Sequence, residues 1–165
     1  MDSISEQRLA LVMPTLADKI RSMADTLANE GIYIRVVQGL RTIEQQEALY
    51  AQGRTAPGSI VTNCRGGQSY HNYGLAVDCV PSSQGTHAPF APDWNPTHPD
   101  WKRMISVGTS LGLDSGSTWR TFKDFPHFQL TGEFPEGEPT QEVYELYAQG
   151  SFQAVWDVVT KTEVG

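Results

Sequence analysis

The sequence has no long hydrophobic run. No stretch approaches the roughly 18 apolar residues that cross a bilayer, so the chain reads as soluble. Basic residues are few and scattered: 12 Lys and Arg against 19 Asp and Glu, for a net charge of −7, leave no electrostatic footprint for nucleic acid or an anionic membrane. The first residues, Met1 to Glu6, lack a basic run followed by an apolar core, so the reading expects synthesis in the cytoplasm without a signal peptide. Cysteine is scarce as well. Cys64 and Cys79 stand in no CxxC spacing, which favours two reduced thiols and leaves a bridge or a thiol ligand as alternatives.

What the sequence does contain is enough apolar material for a core, with 39% hydrophobic and 19% charged residues over 165 positions. That length fits one domain over residues 1–165, with no repeat and no linker to set off a second. Val12, Leu16, Ile20, Met23 and Leu27 recur at three- and four-residue steps and predict one helix over 5–29, stopped by Gly31. The β-branched and aromatic run Ile32–Val37 predicts a strand. Thr42 and Gln45 form a capping-box pattern at the head of a helix over 43–52.

Further along, four glycines and a proline make 53–68 a loop, and Leu75–Val80 reads as a second strand. Five prolines leave 81–99 irregular; a helix over 100–111 and a short strand at His127–Leu130 follow. Two short helices, 141–149 and 152–160, are separated by Gly150 and preceded by caps at Thr140 and Ser151. Helices and short strands in no regular alternation make the fold class α+β.

The densest chemical signal is the run from Ser69 to Asp78. A histidine, His71, leaves a loop; Gly74 permits a sharp backbone path; and Asp78 falls inside an apolar strand, where a carboxylate is costly without a partner. A cation would offset that cost. Downstream, Asp124-Phe125-Pro126-His127 cannot be the helical H-E-x-x-H arrangement, because Pro126 would break the helix. It can instead put His127 at a metal with Asp124 beside it. His71, Asp78 and His127 make a two-imidazole, one-carboxylate set of the kind that binds one catalytic zinc ion with a position open for water. Asp124 then suits the general acid/base, and Arg41, at a strand end before a helix, suits the developing oxyanion. Each residue alone has an ordinary alternative: Asp78 as an acceptor closing a turn, Asp124 as a solvated loop carboxylate, Arg41 as a surface charge. His87 and His98, in the proline-rich stretch, are given no role.

The pattern Ser69-x-His71-x-x-Gly74-x-Ala76-x-Asp78 with Asp124-x-x-His127 resembles the signature of the VanY/VanX-type zinc metallopeptidases, the M15 family. Gly39-Leu40-Arg41-Thr42 with Gln46 resembles the segment that carries the family's catalytic arginine, and Val61-Thr62 with Gly66-Gly67, and Trp119 ahead of Asp124, resemble the L-alanyl-D-glutamate endopeptidase branch that includes phage endolysins. The resemblance implies a small antiparallel sheet flanked by helices, the zinc fold shared with D,D-peptidases and hedgehog-type domains. It implies metal binding by His71, Asp78 and His127, acid/base catalysis by Asp124, support from Arg41, and substrate contacts from Ser69, Gln46 and Trp119. Aspartate at 124, where D-Ala-D-Ala-cleaving relatives carry glutamate, points to hydrolysis of the L-Ala-D-Glu bond in peptidoglycan stems. The alternatives are a D-Ala-D-Ala carboxypeptidase or dipeptidase and a non-catalytic zinc-containing binding module. The turn Leu113–Trp119 departs from the family's fuller Trp-Gly-Gly pattern. The expected partner is the stem peptide alone, met by a monomer without nucleic acid, membrane insertion or a separate wall-binding domain. The expected setting is the cell wall after release.

Overall fold

The computed structural model describes residues 1–84 and 89–164. The chain divides into two compact units: Met1–Gly39 with Ala76–Leu130, and Leu40–Leu75 with Thr131–Gly165.

The first unit is built on a four-stranded sheet. Its strands are β1 (Ile34–Gln38), β2 (Ala76–Pro81), β3 (Asp114–Ser115) and β4 (His127–Gln129), in spatial order β1-β2-β4-β3 with every pairing antiparallel. Three helices belong with it: α1 (Ser3–Leu9), α2 (Pro14–Asn29) and α4 (Pro99–Ser110). The expectation of a single helix over 5–29 is corrected here. Pro14 has no N–H to continue a ladder and disfavours helical geometry at Met13, so the helix restarts with proline in its first turn. The apolar spacing survives in α2, which buries Leu16, Ile20, Met23 and Leu27 against α4. Side chains buried this completely contribute about 1.5–3 kcal/mol each.

The short α1 protects the outer edge of β1. Ser5 Oγ accepts the Val36 N–H at 3.0 Å, and an Arg8 guanidinium N–H donates to the Val36 carbonyl. Asp2 caps α1 through the Ser5 N–H at 2.8 Å and holds Arg35 of β1 at 2.7 Å. An exposed ladder edge is a template for unwanted pairing, and side chains from α1 occupy it.

Register decides what the sheet presents on each side. Val77 lies opposite Phe128 and Asp78 opposite His127. Directly paired residues share a face and neighbours along a strand alternate. Val77 and Phe128 therefore face the helices, with the Phe128 ring against α4 at Gly108, while Asp78, His127 and Gln129 line the other face. β3, only two residues long, was not anticipated.

The second unit contains α3 (Ile43–Ala51) and α5 (Gln141–Val164). The capping box at Thr42 and Gln45 is present. The two C-terminal helices expected around Gly150 appear as α5 broken at Gly150 and Ser151, whose backbone is non-helical. After the break, Phe152 and Trp156, one turn apart, stack at 5.6 Å, and the Trp156 indole N–H donates to the Tyr73 carbonyl at 2.8 Å. Tyr70 donates to the Pro135 carbonyl at 2.6 Å, tying the 3-10 turn Tyr70–Tyr73 into this unit. Residues 53–68 form turns, as expected.

Candidate metal centre and active site

His71 is held by a turn that its own motif encodes. Ser69 Oγ accepts the His71 N–H at 3.3 Å, capping the turn. Gly74 closes it at φ +67°, a left-handed conformation that costs glycine nothing and other residues about 1 kcal/mol or more. Asn72, which sequence reasoning passed over, ties the turn to the arginine segment: its amide donates to the Arg41 carbonyl at 2.9 Å and accepts the Gly67 N–H at 3.0 Å. The Arg41 N–H in turn donates to the His71 carbonyl at 3.0 Å. Serine and glycine of the motif thus serve the backbone that carries the histidine.

Arg41 is half-buried and directed by Gln46. Gln46 is fully buried; its side-chain carbonyl accepts an Arg41 N–H at 2.8 Å and its amide donates to the Cys64 carbonyl at 2.8 Å and to Thr62 Oγ1 at 3.3 Å. With the amide nitrogen on the Cys64 carbonyl, only the oxygen can meet the guanidinium. Cys64 itself is half-buried, 3.7 Å from a Glu138 oxygen, and burial followed by that negative charge pushes its thiol up to about 11.

Asp78 and His127 face each other across the β2–β4 ladder, with His127 Nδ1 3.5 Å from Asp78 Oδ1. Burial pulls the His127 imidazole toward neutrality, but the hydrogen bond and charge of Asp78, then Gln129 and the charge of Asp124, outweigh it and raise the pKa. The pocket of charge at this ring favours a cation. The indole of Trp119 lies over the ring, 4.9 Å between centroids. His127 follows a tight turn, its N–H donating to the Asp124 carbonyl at 3.2 Å, and the Asp124 N–H donates to the Gly116 carbonyl at 3.0 Å. Gly116 sits so close to this turn that a Cβ there would collide with the Asp124 carbonyl oxygen.

One nitrogen from each of His71 and His127 and one oxygen from Asp78 all lie within 4.8 Å of one another, with both histidines buried. Two imidazoles and a carboxylate are donors that suit zinc. Donors about 2.1 Å from a tetrahedral ion stand about 3.4 Å apart, which the 3.5 Å between His127 Nδ1 and Asp78 Oδ1 matches. The donor set fits the metal. Of the two histidines left without a role, His98 caps α4 through its ring, and His87 lies outside the described residues.

An α+β chain with a His-Asp-His cluster and an acidic residue one turn before the last histidine has the layout of a metallopeptidase. The D-alanyl-D-alanine carboxypeptidase profile of the M15 peptidases matches residues 62–130, spanning Ser69 to His127 but not Arg41 or Gln46. The chain belongs to the M15 peptidase family.

Among its relatives it is 37% identical, over 117 residues, to the peptidoglycan L-alanyl-D-glutamate endopeptidase CwlK of Bacillus subtilis, covering 69% of this chain and 68% of that one. It is 30% identical over 111 residues to the L-alanyl-D-glutamate peptidase of Listeria phage A118, covering 67% of this chain and only 34% of that protein. In structure it is similar to the L-Ala D-Glu endopeptidase ChiX of Serratia marcescens, at a TM-score of 0.56 and 26% identity, covering 79% of this chain and 89% of that one. The fold also matches the LD-carboxypeptidase LdcB at a TM-score of 0.55 and 15% identity, over 92% of this chain and 69% of that one.

Proposed function

We propose that this chain is a zinc-dependent peptidoglycan endopeptidase that hydrolyses the L-Ala-D-Glu bond of stem peptides. The observation that carries the reading is the meeting of His71, Asp78 and His127 donor atoms within 4.8 Å. In this reading the three residues hold one zinc ion. When bound, the metal supplies Lewis-acid polarisation and a water of lowered pKa.

The remaining steps belong to side chains. Asp124, on the turn that delivers His127, accepts a proton from the attacking water and returns it to the departing amine, so the L-Ala carbonyl gains hydroxyl and D-Glu leaves with a free amino group. Arg41, braced by Gln46, offers its guanidinium to the oxyanion that forms at the scissile carbonyl. Trp119, against the His127 ring, and Ser69, which caps the turn carrying His71, are the substrate contacts of this reading.

Support for this bond rather than D-Ala-D-Ala comes from Asp124 in place of glutamate and from the endopeptidases to which the chain is similar in sequence and structure. We infer a monomer working as one peptidase domain on the cell wall. No helix among the described residues is long and apolar enough to cross a membrane. Digestion of purified peptidoglycan, followed by mass spectrometry of the fragments, tests the reading: new D-Glu amino termini are expected, and release of free D-Ala instead refutes it. Asp124→Ala is expected to keep its zinc and lose hydrolysis by about 10²- to 10⁴-fold. Unchanged turnover in that variant removes Asp124 from the mechanism.

A further inference from the structure

We propose that Gln129 is a positioning residue of the metal site, holding the proton of His127 on Nε2 so that Nδ1 is left with its lone pair for the cation. The proposal rests on the reading of His127 as a metal ligand. Gln129 is 1% exposed and ends β4, with buried apolar neighbours Phe128 and Leu130 on either side of it in the chain. A buried amide is tolerated only when its polar atoms are bonded, at about 1–3 kcal/mol for each that is not. Its place on β4, two residues after His127, puts both side chains on one face. There Gln129 Oε1 lies 2.9 Å from His127 Nε2.

A neutral imidazole has one N–H and one lone pair. With the proton on Nδ1, the ring would point it at Asp78 Oδ1, 3.5 Å away, and that nitrogen could not bind metal. A carbonyl at Nε2 selects the opposite tautomer. Metal-bound histidines usually have such a partner on the second nitrogen, and its loss costs about 10- to 100-fold in metal affinity. An amide does this without adding negative charge, so Asp78 remains the one anionic donor of the set.

The test uses the full chain and zinc, titrated against a chromophoric chelator. Gln129→Met, similar in length but without an acceptor, is expected to bind zinc about 10- to 100-fold more weakly, and Gln129→Glu is expected to restore binding to within a few-fold of the parent. Parental affinity in a folded Gln129→Met protein, or no recovery in Gln129→Glu, overturns the proposal. Long-range ¹H–¹⁵N spectra of the zinc-loaded parent give a readout free of mutation: the His127 proton is expected on Nε2, and finding it on Nδ1 overturns the proposal even if the Met variant does not fold. His71→Ala and Asp78→Asn separate the two levels of inference. If both keep parental affinity, the ligand set itself is wrong; if both lose it while Gln129→Met does not, only the role of Gln129 fails.

Discussion

Gly116→Ala adds a single methyl group against the Asp124–His127 turn and is expected to disable the enzyme. The new Cβ would overlap the Asp124 carbonyl oxygen and stand 3.0 Å from Asp124 Cβ and 3.1 Å from His127 Cβ. Ordinary carbon contacts lie at about 3.5–4.0 Å. All three clashes fall on the turn that carries Asp124, the proposed acid/base, and His127, a proposed ligand, and the Asp124 N–H is bonded to the Gly116 carbonyl at 3.0 Å, so the turn cannot retreat without stretching that bond. Relief requires a shift of roughly half an ångström to an ångström. Overpacking of this kind costs about 1–3 kcal/mol, equivalent to about 2–12 °C in Tm for a chain of this size. Misplacement of a catalytic group by about 1 Å costs on the order of 100-fold in rate. The assay is kcat/KM on purified peptidoglycan beside thermal unfolding, with Gly137→Ala as control, since nothing lies within 4 Å of a Cβ at that position. If Gly116→Ala keeps kcat/KM within threefold and Tm within about 1 °C while the control behaves as the parent, the close approach has no mechanistic weight and the reasoning fails.

Other perturbations probe separate parts of the molecule. Gln46→Leu removes the brace on Arg41 and is expected to lower kcat about 10- to 100-fold, the worth of a hydrogen bond to a charged group, with zinc affinity unchanged; a loss of zinc in the folded variant would contradict it. Asp2→Ala deletes both a helix cap and an ion pair to β1, and is expected to cost about 1–2 kcal/mol by denaturant unfolding at neutral pH. Burial opposes ionisation of Asp2, but the Ser5 N–H and Arg35 overcome it and hold its pKa below 3.8; its contribution is therefore present above 3.8 and lost as pH falls through the lowered value, so parent and variant should converge there. Cys64, with its thiol raised to about 11, is expected to alkylate at pH 8 on the order of a hundredfold more slowly than an ordinary thiol of pKa about 8.5, and reaction at the ordinary rate would show that it is neither buried nor beside Glu138.

The gathering of His71, Asp78 and His127 was legible through two short motifs, Ser69–Asp78 and Asp124–His127, and the capping box at Thr42 and the break at Gly150 were legible from equally local patterns. Periodicity misled at Pro14, because the apolar face continues in phase across a helix boundary that one missing N–H enforces. β3 was invisible: two residues leave no alternation to read, and the strand exists through its pairing with β4. Gly116 and Gln129 draw their importance from neighbours brought close by folding. A glycine in a serine-rich turn reads as flexibility until the Asp124 turn is laid against it, and a glutamine in a short strand reads as an outward residue until the ring of His127 is found beside it. Gln46 was singled out by resemblance as a substrate contact; what the fold adds is its burial and its bonds to Arg41, Thr62 and Cys64.

The pairing of Asp78 directly across from His127 has a consequence for how the protein ages and recovers. A slip of one residue between β2 and β4 would send the two side chains to opposite sides of the sheet, so a mispaired chain cannot close around a cation at all. On the proposed ligand set, ion capture selects the observed strand alignment over a slipped one. In a zinc-starved sample the amide protons of 76–78 and 127–129 should exchange with solvent sooner than those of α2, and resupplying the ion should slow them again.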